Sequence, residues 1–244
     1  MIFIVGDIHG EITKLKLLVK NVLTLDTYPQ FVFIGDYIDK GENSKETLDY
    51  LTWLNQEYAC TFLTGNHEYL WQTLQPNDMA GMEYLLKYGG KATMKSFDAS
   101  FGETQKRMLD EYAGFFSSLK YYWTKDKYVA VHSGIKPADY QIPLEAINPQ
   151  DFLFNRYDFL KQDQYYFENR TVIFGHTAFF SPYCDGYKIG IDTGACFIKE
   201  QPLTSFCVDL NLFLDSDNVQ HPYSIERNMC SNIIRQKPWR SNYD

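Results

Sequence analysis

Two carboxylates stand three residues apart directly after a short apolar run. Residues 35–41 read GDYIDKG, so Asp36 and Asp39 follow the sequence FVFI at 31–34, which is typical of a buried strand. Burying carboxylates without a partner is costly, so a positive charge is expected beside them. The stretch therefore predicts a cation site at the end of this strand.

Four other short apolar runs end in the same way, at a glycine or a serine–glycine element beside a side chain that can bind a metal. Four of the five histidines of the chain fall in these loops. In an open α/β sheet the loops at the carboxyl ends of the strands meet at one crevice, so these side chains are expected to converge. The five loops supply Asp7 and His9, Asp36 and Asp39, Asn66 and His67, His132, and His176.

The donor atoms in these loops narrow the choice of metal. Imidazole nitrogens and carboxylate oxygens together suit borderline divalent ions such as manganese, iron or zinc better than calcium. The loops contain no cysteine, which argues against a structural zinc site. The sequence therefore predicts a site for divalent ions that is not a structural zinc site.

Alternating strands and helices position the first three loops. Apolar runs predict strands at 2–5, 31–34 and 61–63, and apolar periodicity predicts helices at 11–23 and after residue 43. Repeated strand–loop–helix units indicate right-handed crossovers in a largely parallel sheet. The chain is therefore expected to have an α/β fold.

The second half of the chain is less regular. Residues 69–118 lack strand periodicity, and we interpret them as a helical insertion that is broken at Gly89-Gly90 and at Gly102. No linker-like composition borders this insertion, so it is not expected to form an independent domain. The strands predicted beyond it are a hairpin over 121–132, one strand at 171–174 and a last strand at 205–210.

We expect a single α/β domain over residues 1–215 and a C-terminal segment over residues 216–244. The segment is polar and locally basic, and we interpret it as a solvated end of the chain rather than a binding arm. Its basic residues include Arg227, Arg235, Lys237 and Arg240.

Composition excludes several classes of protein. A net charge of −8 and a pI near 5.1 argue against binding nucleic acid through a general positive field. No apolar run approaches the roughly 18 residues of a membrane span, and Met1 is expected to lead directly into the first strand without a signal peptide. Five cysteines without a Cys-x-x-Cys pair fit a reducing compartment. We therefore expect a cytoplasmic monomer with no nucleic-acid or membrane partner.

The ordered motifs resemble those of the calcineurin-like metallophosphoesterases, in the compact bacterial and phage form of the phosphoprotein phosphatase branch. Similar sequence at 89–93 (GGKAT) and 192–195 (DTGA) extends the resemblance over most of the chain. Any one motif is weakly specific, but five in order are strongly specific. The resemblance implies a sandwich of two mixed β-sheets flanked by helices. The motifs are GDIHG at 6–10, GDYID at 35–39, GNHE at 65–68, HSG at 132–134 and GH at 175–176.

The resemblance also implies that the catalytic domain holds two divalent ions, with manganese expected and iron or zinc as alternatives. Two such ions about 3.5–4 Å apart can share a water, lower its pKa and hold a phosphoryl group for in-line attack. The implied ligands are Asp7 and His9 for one ion, Asn66, His132 and His176 for the other, and Asp36 for both.

Other residues are implied to act on the substrate. His67 would be the general acid that protonates the leaving alkoxide, with Asp39 fixing its tautomer. Arg156 would bind phosphate oxygens through its planar guanidinium, and Asn66 would also contact phosphate. Lys40 stands where the commoner family pattern has arginine, which keeps the charge for phosphate but loses the two-pronged contact.

These implications predict a metal-dependent phosphatase that hydrolyses phosphomonoesters by direct attack of a metal-bridging hydroxide. Phosphoserine and phosphothreonine proteins are the favoured substrates. No nucleophilic serine or cysteine motif is present, so no phosphoenzyme is expected. One alternative is a dinucleoside polyphosphate hydrolase of the diadenosine tetraphosphate type, with aromatic side chains to stack on the bases. A second is a non-catalytic phosphate-binding or partner-binding module on the same fold.

Overall fold

The computed structural model describes residues 1–75, 77–162 and 166–222, and the strands in this part form two sheets. Most strands are four residues long and are built from the apolar runs that the sequence predicts. The strands are β1 (Ile2–Val5), β2 (Gln30–Phe33), β3 (Ala59–Phe62), β4 (Tyr122–Lys125), β5 (Tyr128–Val131), β6 (Thr171–Phe174), β7 (Tyr183–Cys184), β8 (Lys188–Gly190), β9 (Thr204–Cys207), β10 (Leu212–Asp215) and β11 (Gln220–Pro222).

Both sheets are mixed, which confirms the expected architecture. The first has the order β11-β10-β9-β1-β2-β3 and the second the order β4-β5-β6-β8-β7. Strands β1, β2 and β3 are parallel, with Phe3 opposite Phe31 and Phe31 opposite Cys60, whereas β9 pairs antiparallel with β1. Strands β5, β6 and β8 are also parallel, while β4 and β7 form antiparallel edges. The predicted hairpin is the β4–β5 pair.

Successive residues of β1 belong to two different cores, because side chains alternate across a strand. Ile2 and Ile4 pack with Ile173 of β6 in the core between the two sheets. Phe3 and Val5 belong to the core between the first sheet and the helices. Each buried side chain of this size contributes roughly 1.5–3 kcal/mol. The strand is therefore fixed from both faces, which holds the loop that follows it.

Helices cover the outer face of the first sheet. Leu15 and Leu18 of the first helix and Leu48 and Leu51 of the second pack into the same core as Phe3. A kinked turn spans Leu86–Gly90, and 3₁₀ turns lie at Pro137–Asp139, Leu144–Ala146 and Pro149–Phe152. The α-helices are α1 (Ile12–Leu25), α2 (Ser44–Glu57), α3 (Asn66–Thr73), α4 (Met79–Leu85), α5 (Lys91–Phe97), α6 (Phe101–Glu111), α7 (Ala113–Ser118) and α8 (Tyr157–Lys161).

The insertion between β3 and β4 is helical, as expected, but one of its predicted breaks is wrong. The chain does break at Gly89, whose φ of +119° suits glycine. Gly102, however, lies inside α6. Ser100 caps that helix and Glu103 reaches back to the Ser100 backbone N–H, so this capping box sets the helix start before the glycine.

The prediction that 205–210 is the last strand is also wrong. β9 ends at Cys207, and β10 and β11 follow it in the same sheet. β11 belongs to the predicted C-terminal segment and pairs with β10 through Phe213 opposite His221. The predicted division at residue 215 stays a prediction. The basic residues of the segment (Arg227, Arg235, Lys237 and Arg240) lie outside the described residues.

No helix in the described ranges of the chain combines the length and apolar character that crossing a membrane requires.

Candidate active site

In the loops after β1, β2 and β6, several residues have a positive φ, a backbone conformation that residues other than glycine rarely adopt. His9, Asp36, Asp39, Lys40 and His176 all have φ between +46° and +69°. Each such non-glycine residue costs of order 1–3 kcal/mol, so the surrounding contacts must hold it there. Five of the eleven non-glycine residues with positive φ in the described part of the chain therefore lie in the predicted loops, as expected where backbone strain supports a functional site.

Glu68 holds two of these loops together. Its fully buried carboxylate accepts hydrogen bonds from the backbone N–H groups of Asp36 (2.9 Å), Tyr37 (2.8 Å) and Gly65 (3.1 Å). A Cβ on Gly65 would lie 2.2 Å from Asp36 Oδ1, so only glycine fits there. Burial, followed by repulsion from Asp36, raises the pKa of Glu68 to about 7. Sequence reasoning did not find this role.

Asp36 is the residue around which the histidines gather. Its Oδ2 lies 3.2 Å from His9 Nε2 and 3.9 Å from His67 Nε2, and its Oδ1 lies 3.4 Å from His132 Nε2. Burial opposes its ionisation, but the imidazoles of His132, His67 and His9 outweigh burial and hold its pKa well below the usual range. Asp36 is therefore a buried carboxylate that favours its charged form.

The Nε2 atom of His9 faces both Asp36 and Lys40. Its Nδ1 lies 2.8 Å from the carbonyl oxygen of Ile38, which can only accept, so Nδ1 carries the proton. Burial and the nearby Lys40 ammonium lower the pKa of His9 to about 4, and the ring is neutral. The Nζ of Lys40 lies 2.7 Å from His9 Nε2 and donates to it. A cationic group therefore already faces this nitrogen.

A second group lies on the other side of Asp36. His132 Nδ1 donates to the carbonyl oxygen of Ile34 (2.9 Å), so its Nε2 lone pair points at Asn66 Oδ1, 3.0 Å away. Ligand atoms of Asp36, His132 and His176 all lie within 4.8 Å of one another. Burial is the main cause that lowers the pKa of both histidines. These converging lone pairs form an electron-rich set that suits a cation.

Asp7, in the loop after β1, lies next to this set. Its Oδ2 accepts from the backbone N–H of His176 (2.9 Å), while its buried Oδ1 has no hydrogen-bond partner among the described residues. Burial, and then repulsion from Asp192 and Asp36, raise the pKa of Asp7 well above its usual value. A buried carboxylate oxygen without a partner beside other lone pairs is a position for a metal ion.

Asp39 and His67 form a hydrogen-bonded pair behind Asp36. His67 Nδ1 lies 2.6 Å from Asp39 Oδ2, while Asp39 Oδ1 accepts from Trp71 Nε1 (2.9 Å) and Thr93 Oγ1 (2.5 Å). Burial alone would lower the pKa of His67, but Asp36 and Asp39 raise it above its usual value. Sequence reasoning missed two of these partners. Trp71 lies four residues after His67 on the same face of α3, and Thr93 ends the GGKAT motif. These positions mark both residues as candidates, but they do not indicate that either contacts Asp39.

Arg156 lies at the edge of the site. Its Nε is 3.4 Å from His176 Nε2. It also lines an open groove of about 820 Å³, together with Phe154, Tyr157 and Lys161. The structure therefore brings every residue of the predicted site together, while the role of each one stays a prediction.

The fold and the site together define a class: an α/β sandwich whose strand-end loops bring histidines and carboxylates into two groups that share Asp36. The first group is Asp36 with His9 and His67, and the second is Asp36 with His132 and His176. The family model for calcineurin-like phosphoesterases matches residues 1–199, and the chain belongs to this family. The predicted family is thereby confirmed. The family and the two residue groups together indicate a site for two metal ions.

The chain is similar in sequence to two kinds of relative, protein phosphatases and nucleosyl tetraphosphatases. The chain is 37% identical over 101 residues to a protein phosphatase 2A catalytic subunit of Dictyostelium discoideum, a match that covers 40% of this chain and only 31% of that protein. It is 23% identical over 218 residues to Bis(5'-nucleosyl)-tetraphosphatase PrpE of Anoxybacillus flavithermus, which covers 80% of this chain and 85% of that protein. The family and its phosphatase members support the predicted class of metal-dependent phosphatase.

A solved structure confirms the fold. The cold-active protein-tyrosine phosphatase of a psychrophilic Shewanella superposes with a TM-score of 0.68 at 14% identity. The superposition covers 91% of this chain and 80% of that chain. The α/β architecture is therefore shared over nearly the whole of the present chain.

Proposed function

We propose that this chain is a dinuclear-metal phosphomonoester hydrolase that acts on phosphoserine and phosphothreonine in proteins. The observation that carries the proposal is the pair of Asp39 and His67 beside Asp36, the carboxylate that the two residue groups share. This arrangement would place a proton donor next to a site suited to two cations.

The donor atoms fit the two metal ions that the family implies. The unpartnered Asp7 Oδ1 and the converging lone pairs around Asp36 are better satisfied by cations than by the protein alone. Manganese is the proposed metal, and iron or zinc would also suit these donors. When bound, the ions would neutralise phosphate charge and activate the attacking water. The proposed ligands are Asp7 and His9 for one ion, Asn66, His132 and His176 for the other, and Asp36 for both.

His67 would hold the proton that the leaving group needs. Its Nδ1 is tied to Asp39, which leaves Nε2 facing the site at 3.9 Å from Asp36 Oδ2. Serine and threonine leave as alkoxides, and a positioned general acid typically accelerates such a step by about 10²–10⁴-fold. A nucleotide leaves as a stable phosphate anion and needs less assistance. The pair therefore favours esters of alcohols as substrates.

Three side chains would bind the phosphoryl group. Arg156 offers a planar guanidinium at the edge of the site, suited to two phosphate oxygens at once. Lys40 adds an ammonium close to His9, and Asn66 an amide next to His132. These groups would fix the orientation of the ester relative to His67.

The groove beside Arg156 favours a second candidate substrate, a dinucleoside polyphosphate. Phe154 and Tyr157 are 47% and 45% exposed in this region, and Lys136 and Lys161 also line the groove. Exposed rings can stack on bases, and cations can bind a phosphate chain. The near full-length match to the tetraphosphatase relative points the same way.

A substrate panel tests the proposal. Turnover of a phosphoserine peptide, diadenosine tetraphosphate and an aryl phosphate would be compared with manganese, zinc or magnesium present. We expect the phosphopeptide to be cleaved with the higher kcat/KM. Cleavage of the dinucleotide alone would replace the first candidate with the second. A metal-loaded protein inert toward all three substrates would support a non-catalytic binding module instead.

Variants of the groove separate the two candidates further. Phe154→Ala and Tyr157→Ala should weaken turnover of diadenosine tetraphosphate selectively if the groove binds its bases. Tyr28→Ala is the matched control, because Tyr28 is an exposed aromatic residue that precedes β2, at the opposite end of that strand from the site. The choice of manganese, the cytoplasmic location and the monomeric state stay predictions.

A further inference from the structure

The helical insertion supplies two of the hydrogen bonds that hold Asp39, and we infer that Thr93 and Trp71 are positioning residues for the reaction. Trp71 lies on α3 and Thr93 on α5, and both side chains are fully buried. The inference rests on the proposed function, because it assigns both residues to the orientation of His67 through Asp39.

The carboxylate of Asp39 is held by three donors from separate positions in the chain. Its Oδ2 meets His67 Nδ1 at 2.6 Å, and its Oδ1 accepts from Trp71 Nε1 at 2.9 Å and from Thr93 Oγ1 at 2.5 Å. Hydrogen bonds to an ionised acceptor are stronger than those between neutral groups. Because Trp71 and Thr93 fix Oδ1, the plane of the carboxylate is fixed, and with it the direction in which Oδ2 meets His67.

The hydroxyl of Thr93 is fully used in this contact. A hydroxyl has one proton to donate and two lone pairs that accept. Thr93 Oγ1 donates to Asp39 Oδ1, accepts from the backbone N–H of Asp39 at 2.9 Å, and lies 2.9 Å from Ser44 Oγ. Since its proton goes to Asp39, Ser44 is the donor in the last pair. Thr93 thus holds both the backbone and the side chain of Asp39.

The same insertion also supports the strained backbone beside Asp39. Asp39 and Lys40 have φ of +69° and +65°, and the N–H of Lys40 donates to the carbonyl oxygen of Gly89 at 3.2 Å. A Cβ on Gly89 would lie 2.5 Å from Lys40 N, so the approach requires glycine. The GGKAT motif at 89–93 therefore has a physical account, in which its first residue supports the loop and its last holds the carboxylate.

This geometry predicts a specific defect when the hydroxyl is removed. Without Thr93 Oγ1, Asp39 keeps its charge but loses a donor that fixes its plane, so the His67 ring is less often aimed at the leaving group. The residues proposed to bind the metals keep their own contacts, because Thr93 hydrogen-bonds to Asp39 and Ser44. We expect kcat to fall while KM and metal affinity stay close to the unsubstituted protein.

The test compares the variants Thr93→Val, Thr93→Ser and Trp71→Phe with the unsubstituted protein, each as the full chain. Thr93→Val should lower kcat on alkyl phosphomonoesters by about 10–100-fold, the usual effect of losing an outer hydrogen-bond partner. Thr93→Ser keeps the hydroxyl and should restore most of the activity. Trp71→Phe keeps an aromatic ring but removes the indole N–H, so it should show the same pattern as Thr93→Val.

The matched control is Thr104→Val. Thr104 is a buried threonine of α6 in the same insertion, and its hydroxyl donates to the carbonyl oxygen of Ala99, before that helix, rather than to Asp39. This variant removes the same atoms from the same kind of environment and should leave kcat unchanged. Manganese binding by calorimetry and thermal unfolding, measured for each variant, check that the metal site and the fold are intact.

The leaving group distinguishes positioning from a general loss of structure. With an aryl phosphate whose leaving group needs no proton, Thr93→Val and Trp71→Phe should lose less activity than with an alkyl phosphate. Equal losses on both substrates, or no rescue by Thr93→Ser, would overturn the inference, as would an unchanged kcat in a folded Thr93→Val. If Thr93→Val does not fold, the leaving-group comparison in Trp71→Phe decides. An unsubstituted protein inert on every phosphoester would instead refute the proposed function.

Discussion

Two carboxylates near Asp36, Asp39 and Asp7, differ in how far the protein satisfies their hydrogen bonds. On one side, both oxygens of Asp39 are matched by protein donors, from His67, Trp71 and Thr93. On the other side, Asp7 Oδ1 has no partner among the described residues. The protein alone therefore satisfies the carboxylate on the Asp39 side, whereas the side with Asp7 needs an added positive charge.

This difference follows from the kinds of atoms on each side. Around Asp39, three hydrogen-bond donors meet a carboxylate, so the buried acceptor atoms are satisfied within the fold. On the side proposed to bind metal, His132 Nε2 lies 3.0 Å from Asn66 Oδ1 and 3.4 Å from Asp36 Oδ1, so lone pairs meet without a proton between them. Such a set is unfavourable until a cation enters. The comparison predicts that metal binding and proton donation can be lost separately.

The largest effect is expected from Asp36→Asn. Removing the shared charge should weaken binding of both ions by more than about 10²-fold, since even outer-shell losses cost 10–100-fold, and turnover should fall with it. Elemental analysis of the purified variant measures this directly. Added manganese should raise the unfolding temperature of the unsubstituted protein but not that of the variant.

Asp39→Asn is the matched control for this prediction, because it removes a buried carboxylate three residues away on the other side of the comparison. It should retain both ions and lose turnover. If Asp36→Asn keeps an unchanged metal content, Asp36 is not the shared ligand and the comparison fails.

A smaller effect is expected from His67→Ala, which removes the proposed proton donor and no proposed metal ligand. Turnover should fall by about 10²–10⁴-fold with normal metal content. The loss should be steepest for substrates with poor leaving groups, as measured by kcat over a series of aryl and alkyl phosphates. A uniform loss of turnover across the series, or a loss of bound metal, would indicate that His67 acts in metal binding rather than as the proton donor.

The sequence was sufficient to predict the loops of the site because each ligand motif is local. A strand, a glycine and a metal-binding side chain stand within a few residues, as in residues 6–10 and 35–39. The resemblance to a family then added the two-sheet arrangement, since apolar periodicity alone indicates only an α/β fold. The helical nature of 69–118 was also readable, because its apolar spacing lacks strand alternation.

Contacts between distant residues could not be predicted in this way. Thr93 reaches Asp39 across 54 positions, and Glu68 reaches the N–H of Asp36 across 32. Neither contact leaves a local pattern, because it depends on how α3 and α5 pack. The strands β10 and β11 were missed for a different reason: they are only four and three residues long.

The smallest effect is expected from Lys40→Arg. This variant tests whether Lys40 binds the phosphate of the substrate or acts at the metal site through His9. Its Nζ donates to His9 Nε2 at 2.7 Å and also lies 4.8 Å from the centre of the Phe197 ring. A guanidinium could bind two phosphate oxygens where the ammonium offers a point charge, so KM should fall by up to about tenfold. We expect kcat and metal content to stay the same. Lys45→Arg is the control, because Lys45 pairs with Asp49 on the exposed face of α2 and should have no effect. If Lys40→Arg changes metal content instead of KM, Lys40 acts on the metal side, as the cation that faces His9, and its role in binding phosphate is lost.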